Sequence, residues 1–216
     1  VLLEQGFLRY MTHSLIVGLA STVFTLVVGG CASYALVRFD FFGKGAISLG
    51  TLLLRMIPPA VLVVPIYVLW TFFGLADTLL GLVVIYVGLN LPFTIWVLIS
   101  FISDIPVELE ESAVVDGCGP WRIFFRIILP LIRPGLAAAA IFTFRISWNE
   151  FILALVLTNR MTRTLPVATT IYLTDTGIEW GNITAMGTLV ALPAIIFTFL
   201  AAKQLISGLT AGAVKG

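Results

Sequence analysis

Residues 103–134 read SDIPVELEESAVVDGCGPWRIFFRIILPLIRP, and this polar stretch stands between two long apolar runs, 79–102 and 135–157. Five of the eleven acidic residues fall within it, at Asp104, Glu108, Glu110, Glu111 and Asp116. Asp104 is expected to cap a helix with Pro106 in its first turn, and Glu108 then lies near the positive end of the helix dipole. Gly117 supplies a stop, and Gly119-Pro120 a turn. A second short helix follows, in which Trp121, Phe124, Phe125 and Ile128 recur at i, i+3, i+4 and i+7 and form one apolar stripe. Pro130 and Pro134 break the chain before the next run. The expected unit is a helix–turn–helix lying on a membrane surface, its acidic helix facing outward.

Five runs are long enough to cross a ~30 Å hydrocarbon layer, which takes about 20 residues. They are residues 14–37, 46–73, 79–102, 135–157 and 183–202. The composition agrees: 60% of the 216 residues are hydrophobic, 11% are charged, and mean hydropathy is +1.11. Soluble domains carry roughly 25% charged residues, so a soluble enzyme or a nucleic-acid-binding domain is excluded. Disorder is excluded too, since it needs low hydrophobicity and high charge. Backbone groups in lipid must satisfy one another, so the runs are helices, and the fold class is an all-α polytopic membrane protein.

Lysine and arginine set the orientation. Arg38, Lys44, Arg122, Arg126, Arg133, Lys203 and Lys215 fall on one side, against Arg9, Arg160 and Arg163 on the other. The richer side is expected to be cytoplasmic. That places 103–134 inside, 158–182 outside and the N-terminus outside. An outside N-terminus without a signal peptide leads to the expectation that a preceding span is missing. Cys31 and Cys118 lie in different surroundings and are not expected to pair. His13 has no companions for a metal or proton role.

The residues of 103–134 also carry a resemblance. Glu110-Glu111-Ser112-Ala113-Val114-Val115-Asp116-Gly117, followed by Ile127-Ile128-Leu129-Pro130, closely resembles the loop motif of ATP-binding-cassette (ABC) importer permeases, which reads Glu-Ala-Ala, three residues, Gly, nine residues, Ile-x-Leu-Pro. Here Glu111-Ser112-Ala113 replaces Glu-Ala-Ala. Ser147-Trp148-Asn149-Glu150-Phe151 is similar to a segment of carbohydrate-uptake permeases. Gly208-Leu209-Thr210-Ala211-Gly212-Ala213-Val214-Lys215-Gly216 looks like the tail of the maltose-type second permease.

The resemblance implies a type I importer permease fold with five spans present of a usual six, forming a single transmembrane domain over 1–216. It implies residence in a bacterial or archaeal cytoplasmic membrane. It implies a non-enzymatic chain that works with a second permease, two ATP-binding subunits and an extracytoplasmic sugar-binding protein. No G-x-x-x-x-G-K-[ST] loop occurs, so ATP and Mg are expected on the partner subunits, with no cofactor on this chain. Residues 103–134 would be the coupling loop, with Glu110, Glu111, Ser112, Ala113, Asp116 and Gly117 facing an ATPase. Glu111 is the first expectation for a carboxylate in a basic cleft, and Gly117 for close approach. Residues 158–182 would be the extracytoplasmic loop, with a short helix at 165–174 near the docked binding protein.

Polar residues inside the spans are functional candidates by default. Arg145 lies ten residues past Gly135, about 15 Å into the layer at 1.5 Å per residue, where the family usually has an apolar residue. Arg145, Trp148, Asn149, Glu150 and Asn90 form the candidate translocation path. The competing reading makes Trp148, Asn149, Glu150 and Asn90 polar glue between helices. Arg55 is expected to snorkel toward the cytoplasm. Pro58, Pro59, Pro65, Pro92 and Pro193 are candidate kinks. Rival functions are a permease of this fold for another solute, and a proton-coupled transporter with Arg145 and Glu150 as relay.

Overall fold

The computed structural model describes residues 6–174 and 177–213, with side chains to residue 199. The side chains of Lys203 and of 208–213, and residues 214–216 with Lys215, therefore lie outside what is described. Helix α1 spans Phe7–Arg38, α2 Lys44–Arg55, α3 Pro59–Phe72, α4 Leu79–Ser103 and α5 Glu108–Val115. Helix α6, Pro120–Ile123, runs through a π-helical turn at Phe124–Ile128 into α7, Leu129–Leu131. Then come α8, Arg133–Asn149, α9, Ile152–Leu157, and α10, Leu165–Ala168. A 3₁₀ turn at Thr169–Tyr172 and a small hairpin, β1 Leu173–Thr174 against β2 Gly177–Ile178, lead into α11, Trp180–Ala213.

Three helices are long and apolar enough to cross a membrane singly: α1, α4 and α11. Two bent pairs bring the crossings to as many as five by length and composition. The expected continuous helix over 46–73 is instead α2 and α3, turned by 104°. Pro58 and Pro59 cause the break: a residue before proline is pushed out of the helical region, and Pro58 sits at φ −64°, ψ 134°. Pro65, Pro92 and Pro193 stay inside their helices. The expected helix over 135–157 also breaks, ending at Asn149 and restarting at Ile152. Its α8 half meets the preceding Pro120–Leu131 stretch at 78°.

The bundle is built on small residues rather than on a greasy face. Gly18, Ser21, Thr22, Thr25, Gly29 and Ser33 of α1 are buried, while Leu19, Val23, Phe24 and Val27 are exposed. In lipid, leucine gains nothing from turning inward, whereas small residues let backbones approach. A Cβ on Gly29 would stand 2.7 Å from the Thr94 methyl, and one on Gly135 2.5 Å from the Phe101 ring. Buried hydroxyls and amides then tie the helices. Ser21 donates to Ser147 at 3.0 Å, Asn90 Nδ2 donates to Ser147 at 3.1 Å, and Thr94 and Thr143 are 3.2 Å apart. These contacts run α1 and α4 parallel and α8 antiparallel to both. One end of the bundle therefore gathers Arg38, the end of α4, and α5 to α7. The other gathers the start of α1, the 74–78 turn and 158–174.

Candidate functional site: the α5 surface and the interhelical cavity

Two adjacent glutamates on α5 point in opposite senses. Glu110 is buried and Glu111 is exposed, as successive positions on a helix are 100° apart. The Glu110 carboxylate accepts from Tyr34 Oη at 2.8 Å and from Arg38 Nε, with about a tenth of either charged side chain exposed. Arg38 Nη2 also donates to the Ile102 and Ile105 carbonyls at 3.1 and 2.8 Å. Those carbonyls lie at and just past the end of α4, where helix acceptors lack partners and a cation meets the negative end of the dipole. Asp104, expected as the α5 cap, instead closes α4, and α5 starts without a side-chain cap.

The outer face of α5 is bare. Val107, Leu109, Glu111, Ser112, Val114, Val115 and Asp116 are all exposed, Val115 at 87%, while Ala113 packs inward. Helix α5 ends in a Schellman motif, with Cys118 N donating to Ala113 O and Gly117 N to Val114 O, both at 2.9 Å. Gly117 has φ +78°, which a side chain rarely adopts, and a Cβ there would meet nothing within 4 Å. Glycine is thus required first by the backbone turn.

The aromatic stripe divides. Phe124 and Ile128 join the core with Tyr34, but Trp121 and Phe125 are exposed and stacked on each other with centroids 6.2 Å apart. The π-helical turn before Pro130 shifts the register that a regular helix would keep. A proline ring crowds the carbonyl four residues back, and a wider turn relieves it.

A cavity of about 750 Å³ opens between α2, α3, α4 and α8. Asn90, Arg145 and Glu150 of the candidate path line it, together with Arg55, Phe93 and Phe142. Arg55 does not run to the bundle end; its guanidinium lies over the Phe93 ring at 4.8 Å, and Phe93 meets Phe142 edge-on. Neither Arg55 nor Arg145 has an ion-pair partner among the described residues. Asn90 donates from its Nδ2 to the Tyr86 carbonyl and to Ser147.

Trp148, Asn149 and Glu150 all bond within the chain. Trp148 is 1% exposed, stacks on Phe144 and donates to the Val190 carbonyl at 2.9 Å, away from the cavity. Asn149 is exposed and donates to the Arg145 carbonyl. Glu150 accepts from the Leu153 and Ala154 N–H groups at 2.8 and 3.0 Å and from Tyr86 Oη at 2.7 Å. It thereby supplies the free N–H groups of α9 and sustains the break after Asn149.

At the opposite end, Asp77 (φ 57°) accepts from the Asn159 backbone and side chain and from Thr162 Oγ1, clasping the 158–162 loop. His13 lies 3.1 Å from the Arg163 carbonyl. The short helix expected over 165–174 is α10 with its 3₁₀ turn, ending earlier, in the hairpin. Cys31 and Cys118 are unpaired.

The family model for the binding-protein-dependent transport system inner membrane component matches residues 21–210. The chain belongs to this family. It is 40% identical over 211 residues to the diacetylchitobiose uptake system permease DasC of Streptomyces coelicolor, covering 97% of this chain and 76% of that one. It is 37% identical over 209 residues to the trehalose transport system permease SugB of Mycobacterium tuberculosis, covering 95% and 76%. Its fold is that of a bacterial ABC transporter involved in the import of the acidic polysaccharide alginate, with a TM-score of 0.73 at 19% identity over 98% of this chain and 76% of that chain. The protein is thus an inner-membrane permease component of an ABC importer.

Three functional-site residues escape a reading of the motifs. Tyr34 and Arg38 hold Glu110, and their i, i+4 spacing on one face of α1 was the available signal. Arg55 belongs to the cavity wall, which only the bend at Pro58 creates.

Proposed function

We propose that the chain is one of two related permeases in an importer that carries a sugar or sugar derivative, delivered by an extracytoplasmic binding protein. Two ATPase subunits bind ATP and Mg, and this chain binds no cofactor. Residues 103–134 face the cytoplasm and 158–182 face outward. Helix α5 is the coupling helix. Its bare outer surface, with Leu109, Val114 and Val115 beside Glu111 and Asp116, is apolar enough to require a cover and acidic enough to choose a basic one. That exposed surface on a rigidly held helix carries the proposal.

The mechanism is alternating access by rigid-body rocking. Closure of the ATPase pair moves α5, and the bundle turns the cavity from one side of the membrane to the other. Arg55, Arg145, Asn90 and Glu150 line the path, and Trp148 packs behind it. The uptake of diacetylchitobiose and trehalose by systems that include the similar permeases supports a sugar cargo. A proton relay through Arg145 and Glu150 fits poorly, because the Glu150 carboxylate already accepts three hydrogen bonds and does not pair with Arg145.

The test is uptake into proteoliposomes that hold the assembled importer and its binding protein. Uptake of a sugar that follows internal ATP and ignores a proton gradient supports the proposal. Uptake that collapses with the gradient and ignores ATP overturns it.

A further inference from the structure

Arg38 is the last residue of α1, Glu110 sits on α5, and the Ile102 and Ile105 carbonyls lie at and just past the end of α4. One guanidinium therefore ties the end of α1 to the end of α4 and to α5, which are joined to each other through residues 104–107. Its Nε meets the Glu110 carboxylate and its Nη2 meets two carbonyls. Tyr34, one turn back on α1, donates to the other Glu110 oxygen, and its ring packs against Phe124 with centroids 5.2 Å apart. Below this polar cluster lie Ile102, Ile105, Ala113, Ile123 and Phe124, all buried. Of the ion pairs among the described residues this is the one largely shielded from solvent, with Glu110 buried and about a tenth of the Arg38 side chain exposed; Lys44–Asp40 is exposed.

Such an arrangement resists sliding. A buried carboxylate cannot leave its guanidinium without exposing an unpaired charge to an apolar surrounding, so the two move together. The fork geometry of arginine also fixes direction as well as distance. The exposed parts of α5 have no comparable tie. A displacement applied to Glu111, Val114 or Val115 would thus pass through Glu110 to the ends of α1 and α4.

We propose that the Tyr34–Arg38–Glu110 cluster is the rigid joint through which movement of α5 is delivered to α1 and α4, with Glu110 and Arg38 as positioning residues rather than contacts to the ATPase. This rests on the reading of α5 as the coupling helix. The joint predicts a division of labour between neighbours: Glu111 receives the push, and Glu110 passes it on.

The test uses the assembled importer in proteoliposomes, with Glu110→Gln and, as a milder change that keeps the ring packing, Tyr34→Phe. The first readout is cargo transported per ATP hydrolysed. The second is the distance between spin labels at Val115→Cys and Val27→Cys, both exposed positions, with and without ATP, in a background where Cys31 and Cys118 are replaced by Ser. In the otherwise wild-type protein the labels should keep one distance in both states. In Glu110→Gln the distance should change with ATP, and the transport ratio should fall about fivefold or more, with a smaller fall in Tyr34→Phe.

A transport ratio and a label distance that both stay at wild-type values in Glu110→Gln would overturn the joint. If Glu110→Gln fails to assemble, the same two readouts on Tyr34→Phe decide. Failure of the underlying reading looks different: Val115→Cys would then form no cross-link to an ATPase subunit in the otherwise wild-type complex.

Discussion

The α5 end and the interhelical cavity treat charge in opposite ways. At the α5 end, buried Glu110 and half-buried Arg38 are satisfied within the chain, by each other, by Tyr34 and by two carbonyls. In the cavity, Arg55 and Arg145 lie on the walls and form no ion pair among the described residues, the Glu150 carboxylate being held by Tyr86 and the α9 backbone. A charge in an apolar setting must be compensated somewhere. Where the chain compensates its own charge, the group holds structure together. Where it does not, the group is available to water, cargo or another subunit. The same distinction separates Glu110 from Glu111, which are neighbours in sequence and opposite in surroundings.

Substitutions can break or sharpen this contrast. The largest effect is expected from Gly117→Asp. It puts a side chain on the surface proposed to face the ATPase and strains a φ of +78°; the strain alone costs about 1 kcal/mol. Uptake should fall more than ~10-fold, in the range of allosteric coupling terms, while the amount of protein in the membrane stays near wild type. Normal uptake by that variant would remove the coupling role from α5.

Next comes the pair of glutamates. Glu110→Ala leaves a buried guanidinium unpaired and should destabilise the protein by about 3 kcal/mol, read as a lower melting temperature in detergent. Glu111→Ala is exposed and should stay within about 0.5 kcal/mol, yet lower uptake. Equal melting temperatures for the two variants would show that the inward and outward assignments are wrong.

In the cavity, Arg145→Ala should leave stability within the same ~0.5 kcal/mol and change the apparent KM for uptake severalfold. An unchanged KM and rate would take Arg145 off the path. The smallest effect belongs to Trp148→Phe, which gives up the bond to the Val190 carbonyl for about 1 kcal/mol and should leave KM untouched. A KM shift in that variant would return Trp148 to the path.

How far the sequence could be read follows from which forces act locally. Hydropathy runs mark α1, α4 and α11 because a spanning helix needs only length and apolar composition. Gly117 as a stop is legible for a similar reason, since the Schellman turn is a short-range motif. The two broken spans are harder. Pro58-Pro59 announces a kink but not a turn of 104°, which depends on what α2 and α3 pack against. The break at Glu150 carries no proline at all; it exists because a carboxylate held by Tyr86 from another helix can serve the free N–H groups of α9. The candidate path rests on polar residues within spans, and polarity cannot tell Trp148, which bonds across helices, from Arg145, which lines space. Arg38 reads as a positive charge for orientation, and its i, i+4 spacing from Tyr34 marks a shared face, but neither points to Glu110, which lies 72 residues away.

The central claim is that this permease works as part of an ATP-driven assembly coupled through α5. The most direct measurement is to tag the chain, extract it from native membranes in mild detergent and identify what accompanies it. A second permease and an ATPase should accompany it, with the ATPase lost or weakened in Gly117→Asp. Recovery of the chain alone or as a homo-oligomer, with no ATPase in any of several detergents, would contradict it.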